Sequence, residues 1–353
     1  MDKRVFLLIL DKVFYIKQNL KPMLSRVANS VYWMNRYIER ADNYARFISV
    51  NFNLALDLPP NVPEQWKPLL IATADNFIFE EYYDAPTREN VLYFMTFDVR
   101  NPNSILSCLL EARENARTIR ESISKEMWEY VNQIYWTVKN AATESKSWEL
   151  ARYQGFLDNI KSGSQLFYGI VDSTITRGEA WHFGRMGRLL ERADKTTRFL
   201  DVKYFTLLPE IDAVGSPLDL LLWSAVLKSV SAYNMFRQQY QIVNSTAIVE
   251  FLLLDKKFPR SVMHVIRQAE LSLYEISGTA ITNSYSNPAE KALSKLRSEV
   301  EFTEVKDIFD QGLHEFLDAF QEKNNKVGKA IFKTYFDLKP IVQEETATMV
   351  MNQ

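Results

Sequence analysis

A single cysteine, Cys108, occurs in the 353 residues of this chain. It therefore holds no internal disulfide and no multi-cysteine zinc site, and such usage fits a reducing cytoplasm. Charge of one sign is also missing. Lys plus Arg number 42 against 44 Asp plus Glu, a net charge of -2. That balance removes the usual electrostatic drive toward nucleic acid, so any recognition of anions must be local. No stretch approaches the roughly 20 apolar residues that a membrane span needs, and no membrane association is expected. The short apolar run from Val5 to Leu10 is broken at once by Asp11 and Lys12. No small-residue cleavage site follows, which argues against a signal peptide and for a loosely packed N-terminal extension over residues 1–22. There is no phosphate-binding glycine loop, no Ser–His–Asp order with supporting glycines and no His-Glu-x-x-His, so no cofactor is expected.

Glycine and proline are scarce, 10 and 12 residues, and apolar residues recur at helical rather than alternating spacing. The clearest helix is expected from about Leu24 to Leu56. There Val27, Val31, Met34, Ile38, Ala41, Ala45, Ile48 and Phe52 form an a/d seam, with Pro59 and Pro60 to end it. Further helices are expected over Glu64 to Tyr82, Pro102 to Ser122, Lys125 to Asn140 and Lys146 to Asp172. A second long one is expected from Arg177 to Leu207. The rest run from Pro217 to Gln241, Pro259 to Ser277, Pro288 to Arg297, Glu304 to Glu322 and Asn325 to Tyr335. No strand pattern emerges, and the fold class is all-α.

Laid on itself, the chain repeats. A shift of 152 places Met34, Arg36, Glu39, Arg40, Ala41 and Asp42 on identical residues at 186, 188, 191, 192, 193 and 194. Arg46, Phe47 and Val50 meet Arg198, Phe199 and Val202. A shift of 157 then places Trp66, Phe79, Tyr83 and Phe94 on Trp223, Phe236, Tyr240 and Phe251, and Asp98, Pro102 and Ser104 on Asp255, Pro259 and Ser261. The expected architecture is a tandem-duplicated helical bundle with halves related by a pseudo-twofold axis. The first repeat covers residues 23–145; the second, with the C-terminal helices, covers 146–353.

On each long helix the polar residues lie opposite the seam. Arg36, Glu39, Arg40, Asn43 and Arg46 surround Phe47 and Val50, while Arg188, Glu191, Arg192, Lys195 and Arg198 surround Phe199 and Val202. A solvated face with local ion pairs is the bland explanation. Yet the two copies keep the same charged types, and apolar residues share the face, which points to a central polar layer. Within such a layer, two roles stay open. The arginines and glutamates could lock the halves together. Alternatively, the six arginines could cradle a carboxylate or phosphate of a peptide-like substrate, since guanidinium binds oxyanions in bidentate fashion. Glu39 and Glu191 would then orient them or, with a pKa raised by burial, act as acid/base groups of an enzyme in its own right, in acyl transfer or amide hydrolysis.

Other candidates carry less. Glu179-x-x-His182 is half of a di-iron motif, but His264 and His314 lack a glutamate three residues earlier, so no metal is expected. His182 could join the polar site. Asp98/Asp255 and Ser104/Ser261 flank expected helix starts and suit capping. Asn101-Pro102-Asn103-Ser104 with Arg113, Glu114, Asn115 and Arg117 makes a polar face whose second-copy counterpart has Glu270 and Leu271. That asymmetry makes Asn115 and Arg117 candidates for substrate contact.

Several of these segments together resemble one family. They are the run from Met23 to Met34, Tyr37-Ile38-Glu39-Arg40-Ala41-Asp42-Asn43, Asn101 to Ser104, Ala112 to Arg117, Leu190 to Asp194 and Leu254 to Ser261. The chain is similar, from Met23 to the helices near 330, to the bacterial alpha-E domain family. The resemblance implies a cytoplasmic role beside a circularly permuted ATP-grasp ligase and often a transglutaminase-like protease, in making or modifying an amide-linked product. It carries over no catalytic residues.

Overall fold

The structure is a computed structural model that describes Met23 and residues 25–57, 64–145, 148–205, 215–281 and 284–337. The N-terminal extension expected over 1–22 and the prolines at 59, 60 and 209 lie outside the described residues. Among the described residues every regular element is helical.

The two long helices that share the repeated segment are α1 (Ser25–Asp57) and α8 (Glu179–Phe205). They pack on one another more extensively than any other pair. Both are buried on opposite sides at once: Met34, Ala41 and Ala45 are fully buried, but so are Glu39 and Phe47 on the other face. A helix with apolar contacts on one side and charged ones on the other has other helices on both. Close approach is made possible by glycine. A Cβ on Gly187 would lie 2.4 Å from the Tyr32 carbonyl oxygen, and one on Gly184 would lie 2.6 Å from the Asn35 amide nitrogen. Backbone therefore rests on side chain and backbone where α8 crosses α1.

Between α1 and α8 in the chain come α2 (Lys67–Thr73), α3 (Asn76–Tyr82), α4 (Arg88–Thr96), α5 (Ile105–Thr118), α6 (Lys125–Glu144) and α7 (Leu150–Thr174). After α8 come α9 (Pro217–Ser229), α10 (Tyr233–Gln239), α11 (Ser245–Leu254), α12 (Val262–Ser277) and α13 (Pro288–Glu301), then α14 (Val305–Gln311) and α15 (Leu313–Ile331). α5 and α7 pack on α1, while α12 and α15 pack on α8. α7 also rests on α6. Ser104 and Ser261 cap α5 and α12, accepting from the backbone N–H of Ser107 and His264, as their place before a helix start suggests.

Three expected helices are broken. The one over 64–82 divides into α2 and α3 at Ala74, and the one over 217–241 divides at Ser231; both residues are left-handed, with φ of 60° and 56°. The two breaks are 157 residues apart, the same offset as the second repeat alignment. Ala74 N–H bonds back to the Leu70 and Ile71 carbonyls, closing α2. The segment from 304 to 322 divides at Gly312, whose φ is 101°. Beyond it α15 runs unbroken through the gap expected between 322 and 325. Two helices, α4 and α11, escaped the periodicity altogether. Thr87 and Asn244 cap them, each side chain accepting from the third residue onward.

Candidate functional site

The charged faces of α1 and α8 meet at the centre. Glu191 on α8 is fully buried and accepts from two arginines of α1. Arg36 Nε donates to its Oε2 at 2.8 Å, and Arg40 Nε to its Oε1 at 2.7 Å. Arg40 Nη2 adds a bond of 3.1 Å, and Lys195 Nζ stands 3.5 Å away. Glu39 on α1, equally buried, is held from the other side. Arg192 grips it with a two-pronged fork, Nε to Oε1 and Nη2 to Oε2, both 2.8 Å. Each helix thus supplies the carboxylate that the other helix's arginine needs.

The next turn pairs acid and base within each helix instead. Asp42 accepts from Arg46 Nε at 2.8 Å and Asp194 from Arg198 Nε at 2.9 Å. Arg46 Nη1 then reaches across to the Ser229 carbonyl and Arg198 Nη1 to the Ala72 carbonyl, each at the end of α9 or α2. Between them Phe47 stacks on Phe199, with ring centroids 4.0 Å apart and planes 16° from parallel. The packed layer is why these charges are sheltered: apolar rings seal the faces that the side chains leave.

The halves are not identical. Tyr168, on α7, donates its hydroxyl to Glu39 Oε2 at 2.8 Å, and Asn43 Nδ2 reaches Oε1 at 3.0 Å. Arg260, at the head of α12, bonds Asp42 at 2.6 Å and Asn43 at 3.0 Å. At Arg260's place in the first copy stands Asn103, which accepts from Arg40 Nη1 and donates to Asp75. The Tyr168 and Arg260 contributions were not foreseen. Arg260 sits inside a repeated Pro-x-Ser segment, so the change from asparagine to arginine there was a readable signal. Tyr168 has no such marker.

Of the candidate residues, Glu39, Glu191, Arg36, Arg40, Arg46, Arg192 and Arg198 join in this layer. Arg188 lies on the same face of α8 but makes no hydrogen bond or ion pair with any described residue, and its Nε is buried without an acceptor. Its Cζ lies 4.4 Å from the centroid of the Tyr168 ring. His182, one and a half turns earlier, is half-buried with Nδ1 unpartnered. Asn115 and Arg117 lie apart, at the exposed end of α5, where Asn115 bonds the Glu111 carbonyl and Arg117 pairs with Glu114. Glu179 accepts the backbone N–H of Met23.

Burial alone would raise the carboxyl pKa of Glu39 and Glu191. The facing guanidiniums overrule it and hold both well below the usual carboxylate range, as Arg198 and Lys195 do for Asp194. Three arginines are lowered as well, which for a base favours the neutral form. Burial pushes Arg260 down to about 10, helped by repulsion from Arg46. Arg188 is pushed down by burial and by Arg192, and Arg185 by burial and by Arg188. A depressed carboxyl stabilises the fold above its unfolded pKa and loses that contribution only as pH falls through the folded value. The urea midpoint is therefore expected to stay flat from pH 8 to about 5 and to fall below about 4. A decline already complete near pH 6 would show that these carboxylates titrate normally.

Fold and layer define a helical protein organised around two buried Glu-Arg pairs, and 39–40 and 191–192 are the only Glu-Arg dipeptides in the chain. The chain belongs to the Alpha-E family, described as a predicted alpha-helical domain with a conserved ER motif and matched over residues 23–336. Among curated proteins it is similar to uncharacterised proteins of Mycobacterium bovis and Mycobacterium tuberculosis, 19% identical over 292 residues. The match takes in 77% of this chain but 32% of those proteins, so the chain spans about a third of their length. No solved structure matches it. No helix among the described residues is long and apolar enough to cross a membrane.

Proposed function

We propose that the protein holds the carboxylate or phosphate end of a peptide-like substrate, as an accessory component of a cytoplasmic ATP-grasp amide-ligase system. The observation that carries this reading is a surplus of positive charge in and around a layer whose carboxylates are buried. Around Glu39, Asp42, Glu191 and Asp194 stand seven arginines and Lys195. Adding the other buried acids nearby, Asp75 and Asp201, leaves eight cations against six carboxylates among the described residues. Uncompensated cations in a low-dielectric interior are costly, and an incoming anion relieves that cost.

A catalytic role for Glu39 or Glu191 fits the geometry poorly. A general acid needs a raised pKa and a general base needs a free lone pair. Both carboxylates are held low and their oxygens are already engaged by arginine, tyrosine or amide donors. A purely structural role accounts well for Arg36, Arg40, Arg46, Arg192 and Arg198, each tied to a carboxylate of the layer. It leaves the surplus unexplained. The link to an ATP-grasp partner rests on the family resemblance, and a fused partner could occupy the length by which the mycobacterial relatives exceed the matched segment. Co-purification with the neighbouring ligase, and its amide-forming turnover with and without this protein, test the proposal. A complex with dependent turnover is expected; absence of both would sink it.

A further inference from the structure

We infer that Arg188 is the open guanidinium of the layer and receives a carboxylate, the free terminus of a peptide-like ligand. This rests on the anion-holding reading above and narrows it to one residue and one chemical group.

The two copies assign the same arginine different work. Arg36 donates through Nε to Glu191 on the facing helix. Its repeat equivalent Arg188 should donate to Glu39 in the same way, but Glu39 has no room. An ionised carboxylate offers about four acceptor positions. Arg192 takes two of them, Tyr168 a third and Asn43 a fourth. The Tyr168 hydroxyl thus stands where the repeat would put Arg188, and its ring carries the displaced guanidinium on its face instead. A face-on contact with an aromatic ring leaves the hydrogen-bonding edge of a guanidinium uncommitted.

That arginine has no compensating acid among the described residues. The carboxylates whose charges it feels are Glu39, already saturated, and Asp172, which lies exposed on α7 and accepts from Trp181. Its neighbours on the same stripe of α8 are spoken for. Arg192 holds Glu39, and Arg185 bonds Gln268 and Ser272 on α12. A structural role gives no reason to bury the Nε of this guanidinium without an acceptor among the described residues, because such a group weakens the fold that carries it. One free edge presents two parallel N–H donors in a plane, the match for a carboxylate. A phosphate dianion calls for a second uncommitted cation, which the stripe does not offer.

Calorimetric titration with acetylated alanyl-alanine, its C-terminal amide and inorganic phosphate tests this, using the full chain and the Arg188→Gln, Arg36→Gln and Tyr168→Phe variants. The dipeptide acid is expected to bind, the amide not, and Arg188→Gln to weaken the acid by about tenfold or more. Without ligand, Arg188→Gln should melt no lower than the parent, whereas Arg36→Gln should melt lower and still bind. Tyr168→Phe, which frees a position on Glu39, should weaken binding by letting Arg188 turn to that carboxylate. Equal binding by Arg188→Gln, preference for phosphate, or no binding of the acid at all overturns the assignment. Tight binding through Arg188 without any effect on ligase turnover would retire only the accessory role.

Discussion

Glu191→Gln should destabilise the protein by about 3–5 kcal/mol, the usual cost of removing one partner from a buried ion pair. Glutamine keeps the shape of the side chain but not its charge. Arg36, Arg40 and Lys195 would then face one another with no anion between them. Water cannot easily take the glutamate's place, because the position is fully buried between two helices. Urea unfolding at neutral pH reads the difference directly. The same substitution separates two ideas about the residue: a catalytic glutamate changed to Gln would lose turnover and keep its melting temperature, whereas a charge lock loses the melting temperature first. A loss below about 1 kcal/mol, the range of an exposed pair, would count against the lock.

Phe47→Ala is expected to cost a comparable amount, about 3–5 kcal/mol, by the range for a buried aromatic truncated to alanine. Its ring lies on Phe199 between the two Arg–Asp turns, and both rings are fully buried. The hole opened there adjoins Arg46 and Arg198, so hydration of those charges would follow. Because the rings stack directly on one another, the double change with Phe199→Ala should cost less than the two single costs added together. Strict additivity in denaturant unfolding would mean that the stack contributes nothing as a pair.

Much of this arrangement could be read from the amino acids. The repetition of Arg-x-x-Glu-Arg-Ala-Asp identified the two central helices, because identical charged residues are not kept on a freely solvated surface. Apolar Phe47 and Phe199 on the same face pointed to burial. Which arginine takes which glutamate could not be read, since that depends on how α8 crosses α1. Two glycines, Gly184 and Gly187, set that crossing, and no periodicity signals them. The breaks at Ala74 and Ser231 were hidden for a related reason: neither is glycine or proline, so the left-handed turn has no residue to announce it. Gly312 was a visible signal between α14 and α15. The helix α11 was concealed by its own composition, a run of Ile, Val, Phe and Leu in which no 3.6-residue rhythm stands out. Tyr168 and Arg260 entered the layer from far along the chain. They explain why arginines that looked alike in sequence divide into those tied to an acid and the one that is not.

The cross-bracing of Glu39 by Arg192 has a consequence for synthesis on the ribosome. More than 150 residues separate the two, so Glu39 leaves the exit tunnel long before its cation exists. Until then that carboxylate keeps its hydration, and the charged face of α1 has no counter-ion to draw it from water, although its apolar face can already meet α5 and α7. The charged layer can therefore close only once α8 has been translated, whatever the earlier helices have already packed together.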